Sequence, residues 1–281
     1  MGYLVGLIGS GIGASLSPAL HEREADTLGL RYVYKLIDLD RIGRPPASVP
    51  SLVRQALTLG FTGLNITYPG KQLVMGHLDS VSAEAARIGA VNTITFSDGR
   101  AIGHNTDWSG FAESFAGRRP DVSLDRVVLV GAGGAGSAIA YALRHLGVKR
   151  LTIVDLSPSR ASELAHRYPG LATVGAPEAL LDADGVVNCS PVGMVGHPGI
   201  PIDPSLLRPS MWVADVVYRP LETELLKAAK EIGCRTLHGG GMAVGQAAAA
   251  FELFTGERPD RDRMLRHFAE LVRVPTDHRP S

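Results

Sequence analysis

Four polar clusters in the N-terminal part of the chain combine side chains that recognise hydroxyls and carboxylates and move protons. Asn65-Ile-Thr67-Tyr-Pro69-Gly-Lys71 closes an apolar run. Ligands of parallel sheets collect at that edge, where a lysine is either a surface charge or an amine placed for proton transfer. Gly89-Ala-Val-Asn92-Thr93 and Gly103-His-Asn-Thr-Asp107 set short polar side chains beside glycines at the borders of apolar runs. Singly, each reads equally as a turn with Asx chemistry. Together, Lys71, Asn92 and Asp107 form a set suited to hydroxyl recognition and proton transfer. Ser15-Leu-Ser17-Pro-Ala-Leu-His21 follows the loop Gly9-Ser-Gly-Ile-Gly13. Two hydroxyls approaching a helix N-terminus can grip a carboxylate, or can be an ordinary cap and a solvent-facing serine.

A second kind of chemistry is written in residues 126–160. Arg126-Val-Val-Leu-Val130 reads as a buried strand, followed by Gly131-Ala132-Gly133-Gly134-Ala135-Gly136, an Ala-rich helical run, and Leu151-Thr-Ile-Val-Asp155. This is a G-x-G-x-x-G turn between strand and helix, the context in which it binds a dinucleotide. Gly131 permits the tight turn, Gly133 lets backbone N–H groups approach a pyrophosphate, and Gly136 allows helix and strand to pack closely. The helix from Gly134 turns its positive end to the phosphates. Asp155 is placed to accept hydrogen bonds from both ribose hydroxyls and would repel a 2′-phosphate, which puts NAD ahead of NADP.

The elements that must hold these groups alternate. Strands are expected at Leu4–Ile8, Tyr32–Asp38, Phe61–Thr67 and Val91–Phe96, with helices at about Pro18–Leu28, Ser48–Leu59 and Asp79–Ile88. Pro18 suits a first helical turn with Ser17 as its cap, and the alternation argues for a largely parallel sheet. Gly117–Ser123 reads as a surface connection. Beyond Asp155, strands are expected at Gly185–Asn188 and Trp212–Val217 and helices at Ser157–Tyr168, Glu222–Ile232, Met242–Phe254 and Asp260–Val272; Pro275–Ser281 is a polar tail. The expected fold is therefore α/β with two domains and a cleft between them: an N-terminal α/β substrate domain (1–107, completed by helices at about 245–281) and a Rossmann-type dinucleotide-binding domain (108–244).

Composition excludes several classes. The 281 residues are 45% hydrophobic and 20% charged, with 28 basic and 28 acidic residues, so no whole-chain field favours nucleic acid or an anionic membrane. No apolar run approaches the roughly 20 residues that span a bilayer, and the N-terminus lacks the basic region of a signal peptide. The two cysteines, Cys189 and Cys234, suit a reducing cytoplasm and core packing, and neither they nor the nine scattered histidines have metal-ligand spacing. No metal is expected, and the partner is a small molecule, bound by a monomer or homodimer.

With these motifs in hand, the chain resembles the shikimate dehydrogenase family, which includes the quinate/shikimate dehydrogenases. The S-x-S-P-x-x-H segment, the N-[VI]-T-x-P-x-K motif ending at Lys71, the Asn92 and Asp107 signatures and the glycine turn occur in the family's order. Asn188-Cys-Ser190-Pro-Val-Gly193-Met194, Asp215-Val-Val-Tyr218-Arg-Pro220 with Thr223, and Gly239-Gly-Gly-Met242 with Gln246 follow, so the likeness runs from about residue 5 to about residue 256. The resemblance implies that Ser15 and Ser17 hold a substrate carboxylate. It implies that Thr67, Lys71, Asn92, Asp107 and Gln246 contact ring hydroxyls, that Tyr218 lies against the substrate, and that Lys71 paired with Asp107 is the acid/base. Gly131, Ala132, Gly133, Gly134 and Ala135 bind the pyrophosphate, Asp155 to Arg160 surround the adenosine ribose, and Val216, Gly239 and Met242 border the nicotinamide.

The implied activity is shikimate 3-dehydrogenase, with quinate or aminoshikimate as alternative substrates; the role is either in the shikimate pathway of aromatic amino acid biosynthesis or degradative, and NAD use fits degradation better. A non-catalytic nucleotide-sensing protein is the alternative from another class. Four departures from the family pattern stand out. Asp155-Leu-Ser157 replaces the Asn-Arg-Thr type sequence of NADP users, which points to the NAD-using branch. Ser17 stands where quinate-accepting relatives often carry Thr, which favours shikimate. Gly70 replaces a bulkier residue before the lysine, which predicts a looser wall beside Lys71, and Glu22 stands where many members carry Asn.

Overall fold

The computed structural model describes residues 2–117 and 122–273. Arg118–Asp121, within the expected surface connection, and the tail Pro275–Ser281 lie outside the described residues. The chain divides into two units, Met1–Ser109 with Val244–Ser281, and Gly110–Ala243.

The first unit begins with β1 (Gly2–Gly9), α1 (Ser17–Thr27), β2 (Arg31–Asp38), α2 (Val49–Thr58), β3 (Gly63–Ile66) and α3 (Gly70–Leu73). It continues with β4 (Ser80–Val81), α4 (Ala83–Ile88), β5 (Thr93–Ser97) and β6 (Arg100–His104), and leads into α5 (Asp107–Gly117). Its sheet has the order β2-β1-β3-β5-β6-β4. β1, β2 and β3 are parallel, but β5 runs antiparallel to both β3 and β6, so this sheet is mixed where a largely parallel one was expected. The cause is a hairpin. Asp98 and Gly99 both have positive φ, 51° and 71°, the Asp-Gly turn whose twist suits two antiparallel strands. The helix expected over Asp79–Ile88 is likewise shorter: residues 80–81 pair with β6, and α4 starts only after Ser82, whose Oγ accepts the Ala85 N–H at 3.1 Å.

Pleating sends alternate residues of β1 to opposite faces. Val5 and Leu7 pack with Tyr34, Ile12, Ala250 and Phe254, whereas Ile8 joins Leu64, Ile66, Ile94 and the α2 residues Val49, Val53 and Ala56. Both faces are thus covered, as βαβ connections require.

The second unit comprises β7 (Arg126–Val130), α6 (Gly134–His145), β8 (Arg150–Val154), α7 (Pro158–His166), β9 (Ala172–Val174), β10 (Gly185–Asn188), β11 (Trp212–Asp215), α8 (Glu224–Ile232) and β12 (Arg235–Leu237). All five strand pairs of the order β12-β11-β10-β7-β8-β9 are parallel. From β7 the chain builds outward through β8 and β9, then returns to the other side of β7 with β10. That reversal makes the carboxyl ends of β7 and β10 the topological switch point, where doubly wound sheets place ligands. Val128, Val130, Val186 and Val213 form one apolar layer with Leu225 and Leu226 of α8. Two helices, α9 (Gly240–Thr255) and α10 (Arg261–Arg273), complete the chain, α10 and most of α9 lying in the first unit. No helix among the described residues is long and apolar enough to cross a membrane.

Candidate active site

Strand register gathers the polar set of the first unit at one sheet edge. β1 and β3 end there, β5 starts there because it is antiparallel, with Thr93 opposite both Asn65 and His104, and β6 ends there. Thr67 and Lys71 therefore leave the sheet beside Asn92 and Asp107. Lys71 Nζ lies 2.6 Å from Asp107 Oδ2, with only 17% of the lysine side chain and 6% of the aspartate exposed. The lysine backbone is pinned as well, since Val91 N–H donates to the Lys71 carbonyl at 2.8 Å.

Asn92 orients Asp107. Its Oδ1 accepts the Thr106 N–H at 2.7 Å, which leaves its amide group to donate to Asp107 Oδ1 at 3.0 Å and to Thr106 Oγ1 at 2.9 Å. Both amide protons are thus engaged, one by Asp107 and one by Thr106. Behind it, Tyr34 Oη donates to Asn65 Oδ1 at 2.8 Å, and Asn65 Nδ2 donates to Thr93 Oγ1 at 3.1 Å. Asn105 Oδ1 accepts the Asp107 N–H at 3.1 Å at the start of α5. Each of these polar groups is buried. Partnered in this way they fix one geometry, and unpartnered they would each cost about 1–3 kcal/mol.

The two serines lie on the approach to α1. Ser17 is its first residue, not its cap. Leu16 holds the cap position, and Ser15 Oγ accepts the Ser17 N–H at 3.2 Å. Proline in the first turn lets the helix start one residue earlier than the serine-cap pattern suggests. Gly9 brings the preceding loop against Thr67, because a Cβ there would lie 2.3 Å from Thr67 Cγ2. Gly70 does not loosen the wall beside Lys71: a Cβ would meet Ile66 Cγ2 at 2.8 Å and Val49 Cγ1 at 3.1 Å, so these side chains already fill the space. Gln246 is half-buried on α9.

In the second unit the glycine turn has the shape a pyrophosphate needs. Gly131 has φ 99°, and a Cβ at Gly136 would sit 1.9 Å from the Gly131 carbonyl oxygen. Nothing would meet a Cβ at Gly133, so the backbone ahead of α6 is open to a ligand. Asp155 Oδ2 accepts the Ala132 N–H at 2.7 Å, Oδ1 accepts the Ser157 N–H at 2.7 Å, and Arg160 Nη2 lies 3.2 Å from Oδ1. Leu156 is fully exposed.

After β11, Val216 and Tyr218 are half-buried, and Gly239 packs so closely that a Cβ would lie 2.3 Å from the Val216 carbonyl oxygen. Met242 is buried at the start of α9. A buried network positions this loop. Asn188 Nδ2 and Val217 N–H both donate to Asp215 Oδ1 at 3.0 Å, and Thr223 Oγ1 donates to Oδ2 at 2.8 Å. Burial pushes the Asp215 carboxyl up to about 6, against these hydrogen bonds, which lower it. Both cysteines are buried, and no group of potential metal ligands occurs among the described residues.

A parallel nucleotide-type unit with a glycine turn, in one chain with a unit that carries a part-buried amine–carboxylate pair, defines the class of nucleotide-dependent dehydrogenases. Sequence models narrow it. The shikimate dehydrogenase substrate binding domain matches residues 7–94, and the shikimate 5′-dehydrogenase C-terminal domain matches residues 239–267. A shikimate dehydrogenase (NADP(+)) of Streptomyces avermitilis is 59% identical, covering 96% of each chain. A quinate/shikimate dehydrogenase (NAD(+)) of Corynebacterium efficiens is 48% identical over 95% of this chain and 98% of its own. The structure of quinate dehydrogenase from Corynebacterium glutamicum in complex with NAD superposes with a TM-score of 0.88 at 46% identity, covering 96% of this chain and 99% of that one. The chain belongs to the shikimate dehydrogenase family, whose members are NAD(P)-dependent oxidoreductases acting on CH–OH groups.

Proposed function

We propose that this chain catalyses reversible hydride transfer between C3 of shikimate and NAD, with Lys71 as acid/base. The observation that carries this reading is the 2.6 Å Lys71–Asp107 pair, set by Asn92 at the sheet edge that also holds Thr67. A nucleotide sensor has no need of a proton-transfer pair beside hydroxyl-binding groups. The glycine turn fits a dinucleotide because its contacts demand glycine where backbone packs on backbone and leave space ahead of α6. When bound, the nicotinamide supplies the hydride acceptor.

Ser15 and Ser17 hold the carboxylate of shikimate, and Thr67, Asn92 and Gln246 contact its ring hydroxyls. Asp107 accepts a hydrogen bond from the C3 hydroxyl and keeps the lysine beside it. In oxidation the hydroxyl proton passes to the Lys71 amine as hydride departs from C3, and in reduction the Lys71 ammonium returns a proton to the developing alkoxide. Acid–base assistance of this kind contributes on the order of 10²–10⁴ in rate.

The glycine turn Gly131 to Ala135 binds the pyrophosphate, Asp155 takes the ribose hydroxyls, and Val216, Gly239 and Met242 border the nicotinamide. Asp155 followed by the exposed Leu156 supports NAD over NADP, since a 2′-phosphate would meet a carboxylate with no cation at position 156. Initial rates for shikimate, quinate and aminoshikimate with each cofactor test the proposal. Shikimate with NAD is expected to be fastest. A faster rate with quinate or aminoshikimate would reassign the substrate, and no turnover with any pair would leave a nucleotide-binding protein without this activity.

A further inference from the structure

The first unit repeats, in altered form, the loop device of the second. In both, a glycine-containing loop runs from the unit's first strand into a helix, and an aspartate at or directly after the end of the neighbouring parallel strand accepts hydrogen bonds from that loop. Asp155 takes one loop N–H, from Ala132. Asp38, at the end of β2, takes two: Gly11 N–H donates to Oδ1 at 3.1 Å and Ile12 N–H to Oδ2 at 3.0 Å, and Asp40 N–H adds a third bond to Oδ1 at 3.1 Å. Asp38 is 6% exposed. The Asp38 carboxylate thus ties its loop through two backbone N–H groups, where Asp155 ties the other loop through one.

What that loop carries is the serine pair. Ile12 donates its N–H to Asp38 Oδ2, and its carbonyl accepts the Ser15 N–H at 2.9 Å. Ser15 Oγ then accepts the Ser17 N–H at 3.2 Å. An unbroken line of hydrogen bonds runs from the Asp38 carboxylate to both serines, and the buried Ile12 side chain anchors its middle against Val5, Leu7 and Tyr34. We propose that Asp38 is a positioning residue for substrate-carboxylate recognition, acting through Ile12 on Ser15 and Ser17. The proposal rests on the reading of these serines given above.

Asparagine at 38 keeps the shape but turns one acceptor into a donor facing a backbone N–H, which pushes the loop away. The test is steady-state kinetics of wild type, D38N, S15A and the double variant with shikimate and NAD. D38N is expected to raise the shikimate KM about tenfold, with kcat and the NAD KM within about twofold of wild type. Because both act on one contact, the double variant should exceed the worse single variant by no more than about twofold in KM. D38S, which keeps one acceptor, should fall between wild type and D38N and serves if D38N does not fold. An unchanged KM in D38N or D38S, beside a raised KM in S15A, overturns the proposal and leaves the serine reading intact. Fully additive effects also overturn it. An unchanged KM in S15A overturns the serine reading itself.

Discussion

Arg160 Nη2 lies 3.2 Å from Asp155 Oδ1, on the carboxylate whose other oxygen accepts the Ala132 N–H at 2.7 Å. The carboxylate that would repel a 2′-phosphate is therefore partly compensated, while the arginine side chain is 56% exposed and well screened. Repulsion should still win, with a moderate margin. We expect kcat/KM for NAD to exceed that for NADP by about tenfold, roughly 1.4 kcal/mol. Asp155→Asn with Leu156→Arg should narrow or invert the ratio by supplying a guanidinium fork to the phosphate. A wild-type preference for NADP would show that Arg160 outweighs Asp155.

The serine pair is tested with substrate chemistry. If the pair holds the carboxylate as proposed, Ser15→Ala or Ser17→Ala should raise the shikimate KM more than it lowers kcat, because such hydroxyls would bind ground state and transition state about equally. Shikimate methyl ester should be a poor substrate of the wild type. Equal rates with acid and ester would remove the carboxylate role from this pair.

His21 makes stability depend on pH. It is enclosed by Tyr32, Tyr34, Phe251 and Phe254, its Nδ1 pairs with the Tyr32 hydroxyl at 2.9 Å, and burial drives its pKa down to about 3. The unfolded chain takes up this proton near pH 6.5 while the folded chain resists it. Its contribution to stability is therefore lost as pH falls from about 6.5 toward 3, at up to about 1.4 kcal/mol per pH unit. His104 and His267, also lowered by burial, add to the same slope. Urea unfolding at pH 7.0 and 5.5 should give a steeper loss for wild type than for His21→Gln. Parallel slopes would mean that His21 is accessible to protons in the native state.

Glu24, almost fully buried, accepts from Arg263 Nε at 2.8 Å and Nη2 at 2.6 Å and from the Asp260 N–H at 2.7 Å, which clasps α1 to α10. Removing the arginine strands a buried carboxylate, whereas Glu24→Gln removes the charge that needed a partner. Arg263→Ala should therefore cost about 3 kcal/mol and Glu24→Gln less, as read by denaturant midpoints, with kcat unaffected. The reverse order would contradict the desolvation argument.

Much of this was legible in residue order. The glycine turn, its flanking strand and helix, and the Lys71, Asn92 and Asp107 signatures are local patterns with local physics. What escaped was set by pairing between distant segments. Arg100–His104 is short and broken by Gly103, so only its hairpin with β5 through Asp98-Gly99 makes it a strand, and that hairpin carries Asp107 back beside Lys71. Asn65, Thr93 and Thr106 sat in the motifs, but their work on Asn92 and Asp107 depends on strand register. Asp38 ended a predicted strand, and nothing in its neighbours pointed to a loop far earlier in the chain. The Ser17 cap failed because Pro18 tolerates either of the first two helical positions.

The most direct measurement is single-turnover oxidation of shikimate by Lys71→Ala with saturating NAD, alongside NAD binding followed separately. Loss of the acid/base should slow turnover at least about a hundredfold while NAD affinity stays within about twofold of wild type. Asp107→Asn should also slow turnover, since Lys71 Nζ and Asn92 Nδ2 both lose their carboxylate partner. A fall of less than about fivefold in Lys71→Ala would contradict the account, and the buried pair would then be a structural ion pair.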